Sequence, residues 1–142
     1  MTHLTFGFDF NQSISNYVPI TTKLSNLISR NEQPKTRILP ENLTELNLND
    51  TFNQPLDKDT LPTNLRRLKF GISFNQPLNN VLPKKLTHLT LGFCFDQSLD
   101  DVLPDSLTHL YLHHRYMTRR KLDNKIKNRI IVFPSKMIST RN

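Results

Sequence analysis

Five prolines divide most of the chain into units of nearly one length. The intervals between them are 21, 22, 21 and 21 residues, at Pro19, Pro40, Pro62, Pro83 and Pro104. Large apolar residues follow at steps of +3, +6 and +8, for example Leu86, Leu89 and Leu91. A period near twenty residues predicts a solenoid, in which each unit stacks only on its neighbours.

The apolar positions also predict what each unit contains. The last two residues of each trio are two positions apart, which is the period of a β-strand. Strands that recur at one register with a crossover between them form a parallel sheet, so we expect a β-rich, leucine-rich-repeat-like solenoid with an irregular, turn-rich return side. The predicted strands lie near residues 3–7, 24–29, 44–49, 66–71, 87–92 and 108–113.

Rare residues keep the same register. A signature that reads Phe-Asn-Gln-Pro-Leu in its fullest form begins at Phe10, Phe52, Phe74 and Phe95. We expect its Phe side chains to fill the interior and its Asn or Asp side chains to bond to the loop backbone of the stacked units. Gly7, Gly71 and Gly92 occupy the position just after the predicted strand in their units. We expect this position to need a backbone conformation or a close approach that a side chain would hinder.

These motifs resemble the FNIP repeat family, which is related to leucine-rich repeats. The resemblance covers roughly Met1 to His113 and is weak between Pro19 and Pro40, where we expect the stack to continue with a bulge or a poorly ordered loop. It implies a right-handed solenoid with a protein-interaction role. Such repeats are abundant in social amoebae and in the giant viruses that infect amoebae, so the resemblance implies a cytoplasmic protein, in the host cytoplasm if it is viral.

Positive charge is concentrated at the C-terminus. The formal net charge is +7, but residues 1–114 carry 10 Lys and Arg against 11 Asp and Glu. Residues 115–142 carry 9 Lys and Arg against one Asp. We therefore divide the chain into repeats over 1–114 and a basic C-terminal cap over 115–142 with a flexible end.

The cap should contain a short helix and a final strand. Thr118 is a residue type that caps helices. A β-branched run predicts a strand near 130–133. Since Ile131 and Phe133 lie 21 residues after Leu110 and Leu112, we expect them to continue the repeat register.

Outward-facing strand positions supply the leading functional hypothesis. Solenoids bind partners along an extended sheet face, so these positions predict a non-enzymatic protein–protein interaction module. The predicted partner-binding face consists of Glu45, Asn47, Arg67, Lys69, His88, Thr90, His109 and Tyr111.

Three alternatives stay open at this point. The basic segment is a candidate site for nucleic acid or acidic surfaces, through Arg115, Arg119, Arg120, Lys121, Lys125, Lys127 and Arg129. An open edge of the first strand would allow a homodimer, because unpaired strand edges associate. The chain could also be a degenerate repeat copy without a dedicated function.

Other classes of function find little support in the sequence. It contains no nucleophile elbow, phosphate-binding glycine loop or zinc-protease motif, so we expect no enzyme, no cofactor and no metal site. A signal peptide and an apolar run of about 20 residues are also missing, so we expect no membrane span. The single cysteine, Cys94, fits a reducing compartment and hence a cytoplasmic protein.

Overall fold

A computed structural model describes residues 2–15, 38–129 and 131–135 of the 142-residue chain. Six short strands form one sheet in chain order, and every neighbouring pair is parallel. The predicted β-rich solenoid with a parallel sheet is therefore confirmed. The strands are β1 His3–Thr5, β2 Glu45–Leu48, β3 Arg67–Phe70, β4 His88–Leu91, β5 His109–His113 and β6 Ile131–Ser135.

One row of leucines runs across the buried face of the sheet. Pairing places Leu4 beside Leu46, and then Leu68, Leu89 and Leu110 follow in line. The last four are at most 2% exposed. Full burial of a leucine side chain stabilises the fold by about 2 kcal/mol relative to exposure, so this row is a major source of cohesion between units.

A second interior column consists of stacked aromatic rings. We call it the phenylalanine column, and its members are Phe10, Phe52, Phe74, Phe95 and Tyr116. The four distances between successive ring centroids are 6.2, 6.1, 6.3 and 5.8 Å. Because Tyr116 lies 21 residues after Phe95, the column extends one unit beyond the last Phe of the repeat signature.

The Asn or Asp position of the signature forms a ladder of hydrogen bonds. We call Asn11, Asn53, Asn75 and Asp96 the asparagine ladder. The backbone N–H of each later member donates to the Oδ1 of the previous one, and all three distances are 2.9 Å. The following glutamine donates its side-chain amide to the same Oδ1 at 3.0–3.1 Å. The predicted backbone-bonding ladder is present and satisfies loop donors that stacking would otherwise bury.

The glycine position marks a close approach between neighbouring units. A Cβ at Gly71 would collide with the carbonyl of Asn49, and a Cβ at Gly92 would collide with the carbonyl of Gly71. Gly7, in the first unit, has nothing near the place where its Cβ would be. The requirement therefore comes from contact with the preceding unit.

The return side contains a column of left-handed residues. Asp59, Asn80 and Asp101 have φ values of 68°, 58° and 55° and are 21 residues apart. Asn and Asp tolerate this conformation better than other residues with a side chain. The left-handed conformation of this turn position therefore explains why Asp59 and Asp101 occur there. Their charge alone would suggest only that they lie on the solvated surface.

The first two strands pair in a way that the sequence analysis did not anticipate. β1 pairs directly with β2, with His3 beside Glu45, so the position between them that a strand at 24–29 would occupy is closed. The expectation that the stack continues through the weak unit is wrong for this sheet. Residues 24–29 themselves lie outside the described residues.

The C-terminal cap contains two short helices, α1 His114–Arg119 and α2 Asn124–Arg129. The N-cap of α1 is His113, whose Nδ1 accepts from the Arg115 N–H at 3.3 Å. The prediction of Thr118 as the cap is wrong, because this residue lies inside α1 and its hydroxyl donates to the Arg115 carbonyl.

The final strand has a different register from the predicted one. Ile131 pairs with His109 and Phe133 pairs with Tyr111, which is a shift of one residue from the expected pairing with leucines. Paired residues of β5 and β6 are therefore 22 residues apart rather than 21, and the connection between these strands contains both helices. The predicted flexible end, beyond residue 135, lies outside the described residues.

Candidate functional site

The outward positions of five strands form one continuous row. The sheet-face row consists of His3, Glu45, Arg67, His88 and His109, which are neighbours in the pairing register. Strand neighbours in a sheet are about 4.8 Å apart. The strands expose this row because their other face carries the buried leucines.

An acidic residue organises the first half of the sheet-face row. Glu45 lies between two basic neighbours, with its Oε2 3.2 Å from His3 Nε2 and its Oε1 3.4 Å from Arg67 Nε. The side chains of Glu45 and Arg67 are 38% and 61% exposed. Exposed ion pairs contribute about 0–1 kcal/mol to stability, so this arrangement does little for folding and forms a charged surface.

Two stacked histidines form the second half of the row. The rings of His88 and His109 are 4.3 Å apart between centroids and 3° from parallel. The Nδ1 of His88 lies 2.9 Å from the Thr87 hydroxyl, which also lies 3.0 Å from the Arg66 carbonyl. A hydroxyl carries one proton, so if it donates to the carbonyl it accepts from the ring. Neutral His88 then carries its proton on Nδ1 and presents Nε2 as an acceptor.

The environment of His88 favours its neutral form. Burial lowers the pKa of His88, and the positive charges that His109 and Arg67 can carry lower it further. Glu45 acts in the opposite direction with a smaller effect. His88 therefore contributes less positive charge to the row at neutral pH than an ordinary histidine would.

A second outward row runs beside the first. Its members, in strand order, are Thr5, Asn47, Lys69, Thr90 and Tyr111. Lys69 is exposed, whereas Asn47, Thr90 and Tyr111 are half-buried. The structure thus brings all eight residues of the predicted partner-binding face onto one side of the sheet.

The predicted basic patch is divided by the structure. Arg120 donates from Nε to the Asp96 carboxylate at 2.9 Å, and Arg119 lies 3.8 Å from its other oxygen. The hydrogen bond from Arg120 lowers the pKa of Asp96. Arg115 lies over the ring of Phe93, 4.6 Å from its centroid. These three arginines hold the cap against the last repeat.

The remaining basic residues are spread over α2 and the segment before it. Lys121 and Lys127 are exposed, and Lys121 lies before α2 while Lys127 lies within it. The side chains of Lys125 and Arg129 lie outside the described part of the structure. The patch that the sequence suggests is therefore not one continuous surface of unpaired arginines and lysines.

Sequence reasoning missed two residues that matter in the cap. Tyr116 is 4% exposed, and its hydroxyl donates to the Gln97 carbonyl at 3.0 Å. Burial raises the pKa of Tyr116 to about 12. Its place in the 21-residue period was the available signal. His113 is also 4% exposed, and no comparable signal marks it as a helix cap.

The described residues offer little for other chemistry. Cys94 is exposed and is not part of a disulfide. Across residues 2–15, 38–129 and 131–135, no three His, Cys, Asp or Glu side chains come together in a way that could hold a metal ion. None of the described helices is long and apolar enough to cross a lipid bilayer.

Comparison with known proteins agrees with the repeat geometry. The family model of the FNIP Repeat matches residues 31–73 and 52–94, a region that includes β2, β3 and β4. Residues 31–94 therefore match FNIP repeats. A search of curated proteins gave no match.

The FNIP repeats also resemble a solved structure, described as the crystal structure of CroV588, a novel circular LRR protein structure. The sequence identity is 39% and the TM-score is 0.60 over 78% of this chain. The aligned region spans 14% of the length of that protein. The predicted resemblance and the leucine-rich-repeat-like fold are thus confirmed, and folds of this class generally serve as scaffolds for protein interactions.

Proposed function

We propose that this FNIP-repeat protein is a non-enzymatic interaction module that binds a partner protein on its sheet face. The observation that carries the proposal is the run of charged and ring-bearing side chains on adjacent strands. Arg67 and Lys69 are exposed on β3, and His88 follows on β4. Arginine and tyrosine, present on this face as Arg67 and Tyr111, are among the residues that supply most of the binding energy in protein interfaces.

The chemistry of the row suggests what a partner offers. His88 presents a hydrogen-bond acceptor in its neutral form, and Arg67 presents guanidinium donors beside Glu45. A partner with alternating polar groups and a carboxylate near Lys69 would match this pattern. Such polar complementarity gives specificity and a fast association rate.

The test is a comparison of three forms of the protein in affinity purification from the natural cell. One is unmodified, one carries Arg67→Glu with His88→Glu, and one carries Lys58→Glu with Lys84→Glu. The last pair is exposed outside the sheet and serves as the charge-reversal control. We expect a partner that the unmodified protein and the control retain and the face variant loses.

Thermal unfolding should show that all three forms are folded, because Lys58, Arg67 and Lys84 are exposed and His88 is half-buried on the sheet face rather than in the core, and surface substitutions change stability by about 0.5 kcal/mol or less. Identical sets of retained proteins for the face variant and the control would rule out the assigned face. Retention of no protein by any form would favour a degenerate repeat copy without a dedicated function.

The basic C-terminal segment supports an alternative proposal, binding of nucleic acid or another acidic surface. Lys121 and Lys127 would carry it, because the arginines at 115, 119 and 120 contact the last repeat. Salt titration with an oligonucleotide tests this alternative. Binding through phosphates weakens steeply with salt, and replacement of both lysines by glutamate should abolish it.

A further inference from the structure

The two outward rows of the sheet change in chemistry along the strand order. Glu45, Arg67 and Lys69 give β2 and β3 a charged end, and both Arg67 and Lys69 are exposed. On β4 and β5 the rows hold two stacked histidine rings and Tyr111. The sheet face therefore has a charged end and a ring-bearing end, which meet between β3 and β4.

The charged end is basic on balance. Arg67 and Lys69 are two residues apart on β3, so they point to the same side of the sheet. Glu45 is the one acidic residue in the two rows across β1 to β5, and its carboxylate oxygens already lie 3.2 and 3.4 Å from His3 and Arg67. One carboxylate does not neutralise both Arg67 and Lys69, so this end favours a partner group with negative charge.

The ring-bearing end consists of His88, His109 and Tyr111, which are all half-buried. The two histidine rings are nearly parallel, with 4.3 Å between their centroids. Because residues two apart in a strand point to the same side, Tyr111 lies beside His109 at about 7 Å. Burial lowers the pKa of His88, which favours its neutral ring. A ring surface of low charge suits an aromatic or apolar contact.

The last strand continues this change in chemistry. In β2, β3 and β4 a buried apolar residue alternates with an outward polar one, whereas β6 is apolar at three successive positions, Ile131, Val132 and Phe133. The shifted register places Ile131 beside His109 and Phe133 beside Tyr111. Strands with one solvated face alternate, and strands covered on both faces are continuously apolar. The composition of β6 is therefore that of a covered strand, next to the ring-bearing end.

From this gradient we infer that the partner of the sheet face is an acidic segment with an aromatic or branched apolar anchor. Its carboxylate contacts Arg67 and Lys69, and its anchor contacts Tyr111 beside the histidine rings. The inference rests on the proposed function, because it names the chemistry of a partner for the same face.

The sheet also sets the distance between the two groups of the partner. Lys69 and Tyr111 belong to one row, with Thr90 between them. At about 4.8 Å per strand their separation is roughly 10 Å. An extended segment covers this distance in about three residues, which puts the two side chains on opposite faces. A helix covers it in about seven residues, which share one face, so a helix that crosses the strands is the better match.

A selection with displayed peptides tests this inference. The probe is a phage library of 18-residue helical peptides in which the residues of one face are random. We expect selection on the full chain to enrich Asp or Glu at one position of that face and Phe, Tyr, Trp or Leu seven residues away. The Kd of a selected peptide should rise about tenfold or more when Arg67 and Lys69 are both replaced by Ala, and again when Tyr111 is.

The two replacements should also separate the two groups. Selection on the Arg67→Ala and Lys69→Ala double variant should lose the acidic preference and keep the anchor, and selection on Tyr111→Ala should do the reverse. Tyr111→Phe is the matched control, since it keeps the ring and should select the same peptides as the unmodified protein.

The outcomes distinguish this inference from the proposed function. Basic peptides, or acidic peptides without an anchor, would overturn the inference while leaving the face as a binding site, provided that Arg67→Glu with His88→Glu abolishes their binding. Peptides that bind this variant as well as the unmodified protein lie elsewhere and would contradict the proposed function itself. A selection that enriches no peptide would contradict both.

Discussion

The asparagine ladder and the sheet-face row are both polar columns with the repeat period, but they lie on different sides of the core. The ladder holds three Asn and one Asp, because every rung must accept from the next backbone N–H at the same place. The row holds His, Glu, Arg, His and His, because no backbone group depends on it. Chemical uniformity in a repeat column therefore indicates a structural role, and variety indicates freedom to bind.

The largest effect on stability should come from a substitution in the buried interior, against which the two polar columns can be compared. Phe74 is fully buried and stacks on Phe70 with 3.8 Å between the ring centroids. Its replacement by Ala leaves a cavity, and we expect the free energy of unfolding to fall by about 4 kcal/mol. Urea unfolding measures this change.

The matched control for this variant is Phe8→Ala. Phe8 is 69% exposed, so its loss should change the free energy of unfolding by about 0.5 kcal/mol or less. Equal losses for the two variants would mean that the aromatic column does not hold neighbouring units together.

The second test compares one rung of the ladder with one position of the outward rows. Asn75→Ala removes the acceptor of the Asp96 N–H and of the Gln97 amide. A part-buried donor left without a partner costs about 2 kcal/mol, whereas Lys69→Ala should cost about 0.5 kcal/mol or less. If both variants unfold at the same urea concentration, the distinction between structural and binding columns fails.

The period of 21 residues explains why so much of the interior could be predicted. Leu46, Leu68 and Leu89 keep the same step as the glycines and the signature, so the sequence predicts which side chains share a column. It does not predict which units are neighbours. Leu4 and Leu46 are 42 residues apart, which is two periods. This spacing gives them the same position in the repeat whether or not a strand lies between them.

The cap and the candidate site were harder to predict, for different reasons. Arg120 pairs with Asp96 across 24 residues, and no periodic pattern encodes that side-chain contact. Tyr116 did carry the periodic signal, but its basic neighbours favoured an interpretation as a charged patch. On the sheet face, periodicity predicts which residues are adjacent, but the ring orientation of His88 depends on a threonine hydroxyl that only coordinates reveal.

The smallest predicted effect is the pH dependence of stability that comes from histidines. These residues occur both in the cap and on the sheet face. Burial lowers the pKa of His113 from its ordinary value of 6.5, and the charges of His114 and Arg115 lower it further. The folded protein then binds fewer protons than the unfolded chain, so the stabilisation is complete above about pH 6.5 and decreases as the pH falls below it. We expect urea unfolding to show lower stability at about pH 5 than at about pH 7.5.

Substitution separates the two kinds of histidine. His113→Asn keeps a residue that caps helices well but does not titrate, so the decrease in stability between the two pH values should become smaller. His88 also has a lowered pKa, but it lies on the half-exposed sheet face. We therefore expect His88→Gln to change the acid-induced decrease in stability by less than His113→Asn does. If His113→Asn loses as much stability in acid as the unmodified protein does, the acid sensitivity does not come from His113, which leaves His88 as the sheet-face histidine with a lowered pKa.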